Sequence, residues 1–103
     1  MKVHYVKCLP EFFKLIVNGK KRFEIRYDDR KYEIGDLVIL REWENGIYST
    51  EKICKTIDYV LRQGERYGLM KKYSIIQFAD GSTHYDLFDT VGANSGQNLL
   101  ECP

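Results

Sequence analysis

Apolar and polar positions along the chain alternate with two different periods, and the changes of period divide it into elements. Val3 to Leu9 reads as a first strand. In the segment EFFKLIVN, Phe12, Phe13, Ile16 and Val17 recur at helical spacing, which predicts a helix of about two to three turns with one buried face. Pro10 stands at the first helical position, where a missing N–H does no harm, and Glu11 meets the positive end of the helix dipole. Gly19 supplies the stop. Arg22 to Tyr27 then alternates with period two, Phe23, Ile25 and Tyr27 on one face and Arg22, Glu24 and Arg26 on the other. The apolar set is expected to face the core.

Asp28 to Lys31 is turn-like, and Tyr32 and Ile34 lead to a second turn signal at Gly35-Asp36. The unbroken run Leu37 to Leu40 predicts a central strand covered on both sides, extended by Arg41 to Trp43. Asn45-Gly46 marks a hairpin, with Ile47 and Tyr48 opening the returning strand. From Thr50 to Leu61 a helix is conceivable, but the β-branched and aromatic residues favour a long, bulged strand. Gln63 to Lys72 reads as a loop and Tyr73 to Phe78 as the last convincing strand. Two regions result: a folded domain over residues 1–78, and a C-terminal extension over 79–103. The extension is rich in Gly, Ser, Asn, Asp and Thr, and is expected to be irregular with at most one added strand. The element order predicts an α+β fold, a small β-barrel of about five to six strands with a short helix after the first, because closure removes exposed edges.

Composition sharpens this picture. The 103 residues include 44% hydrophobic and 30% charged positions, a globular composition. A formal net charge of +1 excludes the global basic field of a protein that coats long duplexes, so any attraction for an anion must be local. Cys8, Cys54 and Cys102 share no short spacing, which fits a reducing cytoplasm better than a disulfide scaffold. The N-terminus lacks an apolar signal-peptide core, and no run approaches the roughly 20 apolar residues of a membrane span. His4 and His84 have no ligand spacing with any Cys, so neither a metal nor another cofactor is expected. Cys8 reads as a small core residue rather than a nucleophile.

The candidate chemistry lies in GKKRFEIR, Gly19 to Arg26. Glu24 and Arg26 share a strand face, and Lys21 lies close enough to fold toward it. Arg offers a planar fork to phosphate or a base edge, Glu accepts from an exocyclic amine, and Lys adds a point charge. On spacing alone, the same residues are better suited to a solvated strand face with weak ion pairs.

These residues also fill a known signature. GxKxxExR is the motif of the ASCH domain, a branch of the PUA-like superfamily, and Gly19, Lys21, Glu24 and Arg26 occupy its fixed positions. With Lys7 to Trp43 as a whole and Tyr67-Gly68-Leu69, the chain resembles an uncharacterised, often phage-encoded family of that superfamily over roughly residues 3–78. The resemblance implies a β-barrel with a cleft beside the helix, lined by Lys21, Glu24 and Arg26, and binding of RNA or a nucleotide. One bacterial branch hydrolyses the acetyl amide of N4-acetylcytidine, using a Thr nucleophile where this chain has Glu24, beside a Lys matching Lys21. The missing Thr favours binding over catalysis, with Lys21 and Glu24 the catalytic pair if the chain is a hydrolase of a modified nucleoside.

Further candidates surround the motif. Lys20, Lys21, Arg22, Arg26, Arg30 and Lys31 place six basic residues within twelve positions, a possible phosphate patch. Tyr27, Tyr32, Trp43, Tyr48 and Tyr67 suit stacking on unpaired bases, while core or hairpin packing is the competing expectation for Trp43 and at least two of the tyrosines. Arg41 lies at the end of the central strand, where loops build sites, and Tyr67 lies in a loop placed to close over the cleft. A third reading is a protein-interaction module of phage origin. The sequence carries no signal for oligomeric state.

Overall fold

The α-helix begins where Pro10 forbids further strand pairing. Our computed structural model describes residues 1–86. In it β1 (Val3–Cys8) runs into α1 (Pro10–Val17), which Leu9 opens without a side-chain cap. Gly19 adopts φ +81°, and the amides of Lys20 and Lys21 fold back onto the Leu15 carbonyl at 2.9 and 3.0 Å. That left-handed turn ends the helix and launches β2 (Phe23–Tyr27). The remaining strands are β3 (Leu37–Glu44), β4 (Ile47–Leu61), β5 (Tyr73–Phe78) and β6 (Thr83–Asp86). Asn45 and Gly46 both take positive φ at the β3–β4 hairpin, as an Asn-Gly turn requires. The expected loop after β4 contains a 3-10 turn at Gly64–Tyr67.

The strands form a mixed sheet in the order β1-β3-β4-β5-β2, with β6 also on β4. β1 and β3 are parallel and every other pair is antiparallel. β4 is long because it serves both halves: residues between Ile47 and Thr56 pair with β3, and residues between Ile57 and Leu61 with β5. A register shift between Ile57 and Tyr59 bends it between the two roles. The α+β architecture with one helix after the first strand is therefore present. β1 and β2 are the ends of an open path, and among the described strands no ladder joins them. β6 is the short strand allowed for in the C-terminal extension; the rest of that expectation, residues 87–103, lies outside the described residues.

One face of the sheet and α1 enclose the main core, which includes Val6, Phe13, Ile16, Leu40, Ile57 and Ile76. The other face of β3 carries Leu37 and Ile39, which pack with Cys54 and Val3. The Leu37 to Leu40 run is thus covered on both sides, as its continuous apolar character predicts. Tyr32 belongs to the main core at 1% exposure, so of the five aromatic candidates it is one that packs rather than stacks on a base. Its ring packs on His4 with centroids 4.6 Å apart. His4 Nε2 lies 2.8 Å from Asp36 Oδ2, and the Asp36 carboxylate also accepts the amides of Lys2 (2.9 Å) and Glu33 (3.0 Å). This buried network fixes the entry to β3. No helix among the described residues is long and apolar enough to cross a membrane.

Candidate functional site

β2 faces the opposite way from the expectation drawn from its alternation. Phe23, Ile25 and Tyr27 are exposed on the outer face of the sheet, and Glu24 is buried at 7% exposure. The reason lies in β1. As the end of the sheet path among the described strands, it leaves carbonyls along its outer edge open to side-chain donors. β2 and the turn that follows it supply donors from side chains. Arg26 Nη2 donates to the Lys7 carbonyl at 2.5 Å, and Arg30 Nη1 to the Tyr5 carbonyl at 2.5 Å. Inward-pointing charges on an edge strand also discourage pairing with another chain. Charge on the inner face of β2 thus does what an apolar residue could not.

Around Glu24 the cluster is tight. Oε1 accepts a hydrogen bond from Lys21 Nζ, and Oε2 accepts one from Arg26 Nη2 at 3.0 Å. Lys21 Nζ also donates to the Phe23 carbonyl at 2.7 Å. The ammonium lies 5.1 Å from the ring centre of Phe12 and 4.8 Å from that of Phe23, so α1 and β2 together hold it. The turn at Gly19 is what brings Lys21 under both rings. Ser74 faces Arg26 across the β2–β5 ladder, and its hydroxyl lies 3.4 Å from the Arg26 carbonyl. Arg26 Nε is buried with no acceptor. The cluster thus holds one recessed carboxylate between two partly accessible cations.

Cys8 lies beneath it. Burial pushes its thiol up to about 12, the Glu24 charge adds to the rise, and Arg26 and Lys21 oppose it. It is a buried free cysteine whose thiolate is strongly disfavoured, matching its reading as a core residue.

Residues 3–78 match the model of a domain of unknown function, DUF3850. The chain belongs to the DUF3850 family. The matched span ends with β5, where the folded domain was expected to end. This DUF3850 chain is also similar to an uncharacterised 12.9 kDa protein in the GpA 3′ region of Escherichia phage P2, with 46% identity over 52 residues. That alignment covers 50% of this chain and 48% of the phage protein, so the chain spans about half the length of its curated relative.

The other sequence candidates of the DUF3850 chain lie apart from the cluster. Arg30 bonds the β1 edge one step further along the seam from Arg26. Arg41 faces Lys52 across the β3–β4 ladder, and its guanidinium stacks on Tyr48 at 4.0 Å. Trp43 pairs with Tyr48, and Lys7 Nζ sits 4.7 Å from its ring centre. Tyr67 ends the 3-10 turn and is mostly exposed, its ring 5.5 Å from the Arg66 guanidinium. Sequence reasoning missed the His4–Asp36 network and the seam role of the two arginines. Both depend on residues 19 to 34 positions apart, and no local pattern reports such pairs.

Proposed function

We propose that this DUF3850 domain binds RNA or a nucleotide through the cleft lined by Lys21, Glu24 and Arg26. The observation that supports this most is the placement of charge: Glu24 is recessed and neutralises one cation, while Lys21 and Arg26 keep 15% and 23% of their side-chain surface. One positive charge is left over at a partly enclosed site, where an anion is screened less than in bulk water. A phosphate suits the cations, and a base amine suits the carboxylate. Catalysis is less well supported. Both Glu24 oxygens are already hydrogen-bonded to cations, and Cys8 is held as a thiol.

We also read the fold as a PUA-like barrel of the ASCH type. Supporting this are the GxKxxExR residues at the helix–strand junction and the bonds to β1 from Arg26 on β2 and from Arg30 just after it, where a closed barrel would have a ladder. Titration with a panel of nucleotides and short RNAs tests the binding reading. Lys21→Gln is expected to lower affinity and to reduce the slope of log K against log salt by about one, as loss of a phosphate contact does. Affinity and salt slope unchanged in folded Lys21→Gln and Arg26→Lys variants would reject the cleft.

A further inference from the structure

The outward turn of β2 leaves an apolar sheet face that the cleft does not use. Phe23, Ile25, Tyr27 and Tyr59 are 43%, 52%, 47% and 51% exposed. They are contiguous through the ladders: Tyr27 lies opposite Tyr73, Ile25 opposite Ile75, and Phe23 opposite Gln77, which in turn faces Tyr59. The Tyr27 and Tyr73 rings meet edge to face at 5.6 Å. An exposed apolar patch of this continuity marks an interaction surface.

We infer that this face is a stacking platform for the bases of a single-stranded nucleic acid, which it receives from the cleft. The inference rests on the cleft reading for the nucleotide at its start. Three observations favour this occupant over a protein. The surface is aromatic rather than aliphatic, with four rings spread over three strands, and rings take any base by its flat side. Cations stand at both ends: exposed Lys20 and Arg22 near Phe23, and exposed Lys71 and Lys72 before Tyr73. They suit a backbone that crosses from one end to the other.

Continuity with the cleft is the third observation. Lys21 is bonded to Glu24 on the inner face, and its ammonium lies against the Phe23 ring on the outer face. A phosphate at Lys21 therefore stands where the two surfaces meet. Beside Phe23 a groove of about 430 Å³ runs between Arg22, Asp58, Gln77 and Asp80. Its size suits a small ligand. Gln77 donates to Asp58 at 3.0 Å, so amide and carboxylate are already positioned to meet a base edge.

The test compares a mononucleotide, uridine monophosphate, with a short oligouridylate by fluorescence anisotropy and competition. Tyr27→Ala and Tyr59→Ala are expected to weaken the oligomer roughly ten-fold each, with Tyr59→Phe restoring it, while mononucleotide binding stays unchanged. Thermal melts check that these exposed substitutions leave the fold intact. Oligomer affinity equal to wild type in both alanine variants overturns the platform. So does wild-type self-association, seen by sedimentation, that the alanine variants abolish without changing oligomer affinity; the face then joins two copies of the chain. If the mononucleotide fails to bind while the oligomer binds and the alanine variants weaken it, the cleft reading falls and the platform stands.

Discussion

Arg26 on β2 and Lys7 on β1 are joined by a hydrogen bond of 2.5 Å from guanidinium to backbone carbonyl, across a gap that no ladder among the described strands spans. The same nitrogen holds Glu24 at 3.0 Å. One side chain thus ties the seam of the sheet to the candidate site. Arg26→Met removes both bonds and leaves a buried carboxylate with one cation. It is expected to lower stability by about 2–3 kcal/mol, less than a fully buried pair because the guanidinium is partly solvated. Arg26→Lys should recover a fraction of this. Urea unfolding of the three proteins measures it, and a midpoint unmoved by Arg26→Met would show that the seam is not held this way.

The Asp36 network makes a pH prediction. Burial pushes the Asp36 carboxyl up, but its bonds to His4 and to the Lys2 and Glu33 amides outweigh burial and hold it below its ordinary 3.8. A carboxyl depressed in the folded state stabilises the fold above the ordinary value, and that stability drains away as pH falls through the lower folded value. Asp36→Asn is expected to cost about 1–3 kcal/mol at neutral pH and to flatten the acid limb of a stability–pH curve. An acid limb as steep as that of the wild type would contradict the assignment.

Cys8 gives the opposite sign at high pH. The unfolded thiol ionises near 9.0 and the folded one near 12, so the native state keeps a proton that the unfolded chain releases in that window. Stability is expected to fall as pH rises through it. Alkylation of Cys8 with iodoacetamide, followed by peptide mapping, should be slow in the native protein at mildly alkaline pH and fast in urea. Equal rates would mean that the thiol is open to solvent.

The hairpin between β3 and β4 depends on one backbone conformation. Gly46 sits at φ +82° with open space where a Cβ would go, so Gly46→Ala adds conformational strain without a clash. A loss of about 1 kcal/mol is expected in thermal unfolding. A larger loss would point to a contact at the hairpin tip.

These expectations also show which parts of the structure can be read from residue order. α1 was legible because Pro10, the Phe13–Ile16 spacing and Gly19 are all local signals. The β3–β4 hairpin was legible because Asn45-Gly46 is a turn signal and the Leu37 to Leu40 run is unbroken. The clustering of Glu24 with Arg26 followed from period two, and Lys21 from its place beside the strand. Which face of β2 turns inward did not follow, since alternation defines two faces without choosing between them. The choice depends on the free carbonyls of β1, whose partner Arg26 lies 19 positions away. Which of the tyrosines are core was not legible for a related reason, and Tyr32 is an example. It stands in a polar stretch, but contact with His4 from β1 draws it into the core.

The shared strand β4 has a consequence for how the chain can vary. Its fifteen residues carry ladders to β3, β5 and β6, so an inserted residue would shift three partners at once and turn alternate side chains inside out. Tolerance to insertion should therefore be uneven: low along β4, and higher at the exposed Asn45-Gly46 tip and in the Gly64–Tyr67 turn, where few neighbours depend on register. Loops grafted at those two points could lengthen without disturbing the charges on β2. Length variation around this strand is thus channelled to the turns at its two ends, and β4 itself is held to a fixed count of residues.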